Sequence, residues 1–161
     1  MGVKLDRIDK QIVDLLTKDG RMSCADIARE IGGITERTVR YRLERLLEEK
    51  VISISAIVDP KSLGFPVVAD VFIEVEPGQV EDLAVRLADY ETVTYVACAT
   101  GERDISIQLV SRDNQELFRF VAEVIGRIPG VRRTTTSIVP LVVKDDAHWR
   151  IPEGLFKDTR R

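Results

Sequence analysis

Residues 26–47 run DIAREIGGITERTVRYRLERLL, and the architecture of the N-terminal third follows from their spacing. Ser23 opens a short helix, with Asp26 three residues on in the spacing of a capping box. Ile27, Ala28 and Ile31 form its apolar stripe. Gly32-Gly33 breaks the helix. Thr35 caps the next one, Glu36 suits its positive end, and Val39, Leu43, Leu46 and Leu47 make a single buried face. Arg37, Tyr41, Glu44 and Arg45 fall on the opposite side, while Thr38, Arg40 and Arg42 flank the stripe. Two short helices across a glycine turn, the second apolar inward and basic outward, have the form of a helix-turn-helix.

In that motif the second helix enters the major groove. An arginine near its start can pair with guanine O6 and N7, and a threonine can meet a thymine methyl or a phosphate. Arginines further along meet phosphates and position the protein. The candidate DNA-binding residues are therefore Thr35, Arg37, Thr38, Arg40, Tyr41, Arg42 and Arg45. The competing reading is a solvated basic face with surface pairs such as Arg40 with Glu44 or Arg45 with Glu49. Upstream, Asp6 caps a further helix with Ile8, Ile12, Leu15 and Leu16 on one face. Lys18-Asp19-Gly20 ends it, with Gly20 able to take the left-handed conformation. Three helices thus occupy residues 1–50.

The pattern changes after Lys50. Val51 to Val58 is β-branched and partly alternating, the composition of a strand, and Asp59-Pro60 ends it. Residues 51–65 are read as a linking strand and hinge. Residues 66–144 then spell strand, helix, strand, strand, helix, strand. The strands are Val67 to Glu76, Val93 to Thr100, Ile105 to Val110 and a last one within Val131 to Val143. Val80, Leu83, Ala84, Leu87 and Ala88 carry the first helix, and Asp113 with Glu116 caps the second, faced by Leu117, Phe118, Val121, Ala122 and Ile125. This βαββαβ order is the split βαβ of a ferredoxin-like domain. The fold class is α+β. Helices cover one face of such a sheet, so the other, read as apolar, calls for a dimer partner. Residues 145–161 form a C-terminal tail carrying His148, Trp149, Ile151, Leu155 and Phe156, able to dock on a neighbouring subunit.

Composition narrows the function. No apolar run approaches the roughly 20 residues that span a bilayer, and the start lacks the apolar core of a secretory signal. A cytoplasmic protein without membrane contact is expected. The net charge is −3. Residues 1–50 carry 11 Lys and Arg against 10 Asp and Glu, and residues 51–161 carry 13 against 17, so what basicity there is clusters at Arg37–Arg45. Cys24 and Cys98 stand apart and are read as buried apolar groups. With His148 as the one histidine, the chain is short of the four ligands of a structural zinc site. A Ser-His-Asp or Cys-His mechanism would need that tail histidine, which argues against an enzyme. No metal, cofactor or catalytic residue is assigned.

Several local motifs, in order and spacing, point to a family. They are Leu5-Asp6-Arg7-Ile8-Asp9, Asp19-Gly20-Arg21, Ala25 to Gly32, Thr35 to Leu46, Gly101-Glu102-Arg103-Asp104, and Pro129-Gly130-Val131 followed by Thr134-Thr135-Thr136. Over residues 5–144 the chain resembles the Lrp/AsnC family of transcriptional regulators. The resemblance implies a helix-turn-helix, a linking strand and a ferredoxin-like domain that binds an amino acid or related metabolite. It also implies homodimers that assemble further, to tetramers or octamers, on double-stranded DNA. It places the effector at Gly101 and Asp104 of the turn and Thr134 and Thr136 of the last strand. A carboxylate there can pair with an α-ammonium group, and hydroxyls and turn N–H groups can hold an α-carboxylate. Asp104 can equally serve only to cap the turn. The segment Gly32-Gly33-Ile34-Thr35 has one residue more than the family's usual turn, and the tail runs beyond its usual end. Two other functions share this architecture: an effector-independent architectural DNA-binding protein, and an enzyme similar to the siroheme decarboxylases, against which the histidine count and the basic third helix speak.

Overall fold

The computed structural model describes residues 3–145 and 149–156. The chain forms two compact units, one comprising the N-terminal residues through Ile57 together with the chain from Lys144 onward, the other Val58–Val143.

In the first unit, α1 spans Arg7–Lys18, α2 Cys24–Ile31 and α3 Glu36–Glu48. Their ends are set by the side chains that the spacing selects. Asp6 accepts from the Asp9 N–H at 2.9 Å while Asp9 accepts from the Asp6 N–H at 3.0 Å, a reciprocal capping box. Ser23 accepts from the Asp26 N–H at 3.1 Å, and Thr35 from the Thr38 N–H at 3.2 Å. Ile12, Ile27 and Val39 meet in the centre, ringed by Ile8, Leu15, Leu16, Met22, Cys24 and Ala28. Each such fully buried side chain contributes about 1.5–3 kcal/mol. Gly32 and Gly33 both sit at φ 71°, with open space where a Cβ would be, so backbone conformation rather than room selects glycine there.

Several local features differ from expectation, among them Phe118, which is 71% exposed rather than on the buried face of its helix. Gly20 is not left-handed, because α1 closes at Asp19 in extended backbone whose N–H reaches the Leu15 carbonyl. Leu47 is 37% exposed, since it lies at the margin of the stripe. Cys98 is exposed, while Cys24 does pack beside the helical core. Residues 51–58 form no strand in this chain: their β-branched composition suits one, but no ladder partner is supplied by the described residues.

Beyond residue 143 the chain rejoins the helices. Ile151 is buried, and Glu153 pairs with Lys10 at 2.7 Å. The described part of the tail thus packs on its own α1 rather than standing free. Between Asp14 and Glu153, the Lys10 ammonium is held above its ordinary pKa by those two hydrogen bonds.

The second unit runs β1 (Val67–Val75), α4 (Val80–Ala88), β2 (Val93–Cys98), β3 (Ile105–Ser111), α5 (Asn114–Arg119) and β4 (Val131–Ile138). Past α5 the chain continues through a π-helical and then a 3₁₀ turn to Arg127. The strand order is β2-β3-β1-β4, with every neighbouring pair antiparallel. This is the ferredoxin-like arrangement expected. Ala69, Val71, Ile73 and Val75 of β1 and Ile105, Ile107 and Leu109 of β3 are buried beneath the helices with Leu83, Leu87, Leu117 and Ile125.

The opposite face differs from expectation. Register places Asp70 between Gln108 and Ser137, Phe72 between Ser106 and Thr135, and Glu74 beside Arg133. The Gln108 amide donates to Asp70 at 3.0 Å, and Arg133 lies 3.8 Å from Glu74. That face is mixed rather than uniformly apolar: Val68, Phe72, Val110, Tyr95 and Ala97 share it with the paired Asp70, Gln108, Glu74 and Arg133.

Candidate DNA-binding and effector sites

On α3, Arg37, Arg40 and Tyr41 are exposed, Tyr41 to 68%, and Thr38 is half-buried beside them. The Thr35 and Thr38 hydroxyls lie 2.9 Å apart at the start of the helix. These residues make one polar surface around the first two turns, where a helix in the major groove meets base edges. Arg40 pairs back to Glu36, which raises its pKa. Arg37 has no such pair among the described residues.

Arg42 and Arg45 are placed differently. Arg42 Nη1 donates to Asp6 at 2.7 Å and to Asp9 at 2.8 Å, and Arg45 Nη2 donates to Asp9 at 2.6 Å. Neither of the pairs considered for the surface alternative, Arg40 with Glu44 or Arg45 with Glu49, forms among the described residues. The spacing of α1 assigns Asp6 and Asp9 no part beyond capping. A signal is present all the same: Asp9 lies one turn before Ile12, on the apolar side of α1, and a carboxylate there requires a buried cation.

Burial tends to raise the Asp6 pKa, but hydrogen bonds from the Asp9 backbone and the Arg42 guanidinium outweigh it and hold the carboxyl below its ordinary 3.8. A group depressed in the folded state contributes stability above its unfolded pKa, lost as pH falls through the folded value. Stability of the helical unit is therefore expected to hold down to about pH 4 and decline below it, with a shallower acid limb in Asp6→Asn, followed by far-ultraviolet circular dichroism.

The second cluster lies at one end of the sheet. Ile73 pairs with Ile105 on one side and Thr134 on the other, so the Gly101–Asp104 turn and Thr134 flank the end of β1. Thr136, opposite Val71, is one two-residue step, about 7 Å, further along. Thr134 and Thr136 share the side of Ile73 and Val71 but stand on the edge strand, half-buried and exposed respectively. Gly101 has φ 134°, a conformation that favours glycine. Asp104 braces the strand end, accepting from the Val75 N–H at 2.7 Å while its own N–H donates to the Ile73 carbonyl at 3.1 Å. Beside it, the Arg103 guanidinium sits 4.0 Å from the centre of the Phe72 ring. No cluster able to hold a metal and no helix long and apolar enough to cross a membrane occurs among the described residues. His148 lies outside them.

A basic helix-turn-helix in a chain that also carries a ferredoxin-like unit, with a polar site at its sheet end, defines a DNA-binding transcriptional regulator with a ligand-binding domain. Known proteins of this kind match it in sequence and in fold. Residues 5–47 match the AsnC-type helix-turn-helix domain and residues 68–149 the Lrp/AsnC ligand binding domain. An uncharacterised HTH-type transcriptional regulator of Pyrococcus abyssi is 42% identical over 143 residues, covering 88% of this chain and 90% of that protein. The HTH-type transcriptional regulator FL11 of the same organism is 38% identical over 140 residues, covering 86% and 91%. Among solved structures, AsnC of E. coli superposes with a TM-score of 0.81 at 24% identity, covering 89% of this chain and 97% of that one. A Neisseria meningitidis transcriptional regulator in complex with L-Met gives 0.81 at 21%, covering 88% and 94%; both likenesses show the fold. The chain belongs to the Lrp/AsnC family, and is a transcriptional regulator rather than an enzyme.

Proposed function

We propose that this regulator binds specific double-stranded DNA through the N-terminal half of α3, and that its DNA binding or its assembly responds to an amino acid or related small metabolite. The observation that carries the effector half is the placement of the Gly101–Asp104 turn and Thr134 at the same end of the sheet, on the strands flanking β1, inside a domain of the ligand-binding type. One Asp104 oxygen is occupied by the Val75 N–H, and the other remains available to an ammonium group. The Thr134 and Thr136 hydroxyls stand about 10 Å away, two strand spacings across β1, so they suit a carboxylate other than that of the α-amino acid held at Asp104. The Neisseria relative crystallised with L-Met supports this chemistry class.

The protein works as a homodimer, or a tetramer or octamer built from it, in the cytoplasm. Support for self-association comes from Ile54, Ile57, Val58 and Leu63, all exposed in a single chain, and from the unladdered backbone of residues 52–58. An effector shifts such an assembly only by binding one state better than another.

A thermal-shift screen against the twenty common amino acids tests the reading. A ligand present at about 100 times its Kd adds roughly 2.7 kcal/mol, which moves the midpoint by several degrees. One selective stabiliser, with a matching change in sedimentation or in DNA affinity, is the expected result. Uniform silence across the set overturns amino-acid sensing and favours an effector-independent architectural regulator.

A further inference from the structure

Asp9 is 1% exposed, and both of its carboxylate oxygens are filled. One accepts from the Asp6 N–H at 3.0 Å and from Arg45 Nη2 at 2.6 Å, and the other from Arg42 Nη1 at 2.8 Å. Arg42 also reaches Asp6, so two cations and two anions form a closed cluster between α1 and α3. The Arg45 Nε is buried and unpartnered, so that side chain is held in place at the cost of an unmet donor. On the helix wheel, Arg42 and Arg45 lie about 80–140° round from Arg37. Arg40 and Tyr41 lie within about 60° of it. The basic helix is thereby divided by face, with Arg37, Arg40 and Tyr41 turned outward and Arg42 and Arg45 tied to α1.

We infer that Asp9 is a positioning residue for DNA recognition: it removes Arg42 and Arg45 from the groove-facing set and uses them to fix the angle at which Arg37, Thr38, Arg40 and Tyr41 are presented. A buried ion cluster is a poor source of net stability, because desolvating the charges offsets their attraction. It is a good source of geometry, because a planar guanidinium accepts few orientations of its carboxylate. An apolar contact at the same place would let α3 roll about its axis. Each degree of roll moves the Arg37 and Tyr41 tips more than it moves the phosphate-facing backbone, so sequence discrimination depends on the clamp more than general affinity does. The inference rests on α3 being the helix that enters the groove.

The experiment compares a duplex selected by the full-length protein from a random pool with a shuffled duplex of equal length, at fixed salt. Asp9→Asn leaves buried cations short of a counter-charge and endangers folding, so the decisive variant is Asp9→Leu with Arg42→Met and Arg45→Met, apolar replacements of similar size. The expected result is a melting midpoint lowered by no more than a few degrees, since the Asp6 N–H loses its Asp9 acceptor, with affinity for the selected duplex lowered about tenfold and affinity for the shuffled one unchanged. Retained preference for the selected duplex overturns the inference, leaving the cluster a packing element. A second variant covers failure of the triple to fold. Arg45→Gln keeps a donor for Asp9 and is expected to leave the slope of log affinity against log salt on the shuffled duplex unchanged. A slope reduced by about one unit would show Arg45 on a phosphate and overturn the assignment. Failure of the underlying reading looks different: Arg37→Ala would then leave both duplexes unaffected.

Discussion

With Arg37 and Arg40 both replaced by alanine, affinity for a selected duplex is expected to fall on the order of 100-fold at fixed salt, with the fold intact. The two side chains are exposed on the first turns of α3, and neither supports the buried core formed by Ile12, Ile27 and Val39. One bidentate arginine–guanine contact is worth about 1–3 kcal/mol of discrimination, so two cover the stated loss even when one serves only a phosphate. The partners differ in share. Arg40 must leave Glu36 before it reaches DNA, and that exchange offsets part of its gain. Arg37 has no such pair to break among the described residues, so Arg37→Ala alone carries the larger part of the loss. Fluorescence anisotropy across a salt series checks this, with the log–log slope falling by about one for each phosphate contact removed. Unchanged affinity at every salt concentration removes the N-terminal half of α3 from the interface.

The caps of α1, α2 and α3 are legible in the sequence because each is settled within three residues: Asp6 with Asp9, Ser23 with Asp26, Thr35 with Thr38. The strand and helix order of the second unit is legible for a related reason, since alternation in β1 and helical spacing in α4 are local. The fate of Arg42 and Arg45 is not. Their carboxylates lie 33 and 36 residues away in sequence, and the period of α3 turns them away from Arg37 without saying what they meet there. The strand expected at residues 51–58 is absent for a different reason. β-branched composition states what fits a ladder, not whether a partner exists, and within one chain none is offered by the described residues. The mixed outer face of the sheet can be read from Val68, Asp70, Phe72 and Glu74 alternating with Ala69, Val71, Ile73 and Val75. The expectation of an apolar face follows from the architecture, and the residues meet it only in part, with Asp70, Glu74, Ser106 and Gln108 set among Val68, Phe72 and Val110.

The tail shows the same limit. Its apolar residues are visible in the sequence, but their destination is not. Glu153 comes to α1, and Ile151 to a buried place in the same unit, only after the entire second unit has intervened in the chain. A pairing such as Lys10 with Glu153 spans nearly the full length of the sequence, and no local spacing rule reaches that far.

Asp104 carries the second large effect, and two substitutions are needed to see it. Asp104→Ala removes the acceptor of the Val75 N–H, a donor on a residue that is 4% exposed. Leaving such a donor unmet costs about 1–3 kcal/mol, so a lost ligand response in this variant would mix a disturbed sheet end with a missing contact. Asp104→Asn separates them. The amide oxygen can still accept from Val75, and the stability of the second unit is expected to stay within about 1 kcal/mol of the parent. The negative charge is gone, however, and an α-ammonium group then loses its counter-ion. Because a charge-assisted bond is roughly twice as strong as a neutral one, the affinity for an amino-acid effector is expected to fall about 10- to 100-fold. Calorimetric titration with the stabilising amino acid, alongside thermal unfolding of all three proteins, reads both quantities. Asp104→Asn that binds as tightly as the parent makes Asp104 purely a brace for the end of β1 and moves the ammonium contact elsewhere on the Gly101–Asp104 turn. Weak binding with unchanged unfolding shows that one carboxylate serves both purposes, one oxygen holding the backbone and the other reading the ligand. Effector occupancy and order at the end of β1 would then be coupled through a single side chain, and β1, paired to both β3 and β4, is the strand through which that order reaches the rest of the sheet.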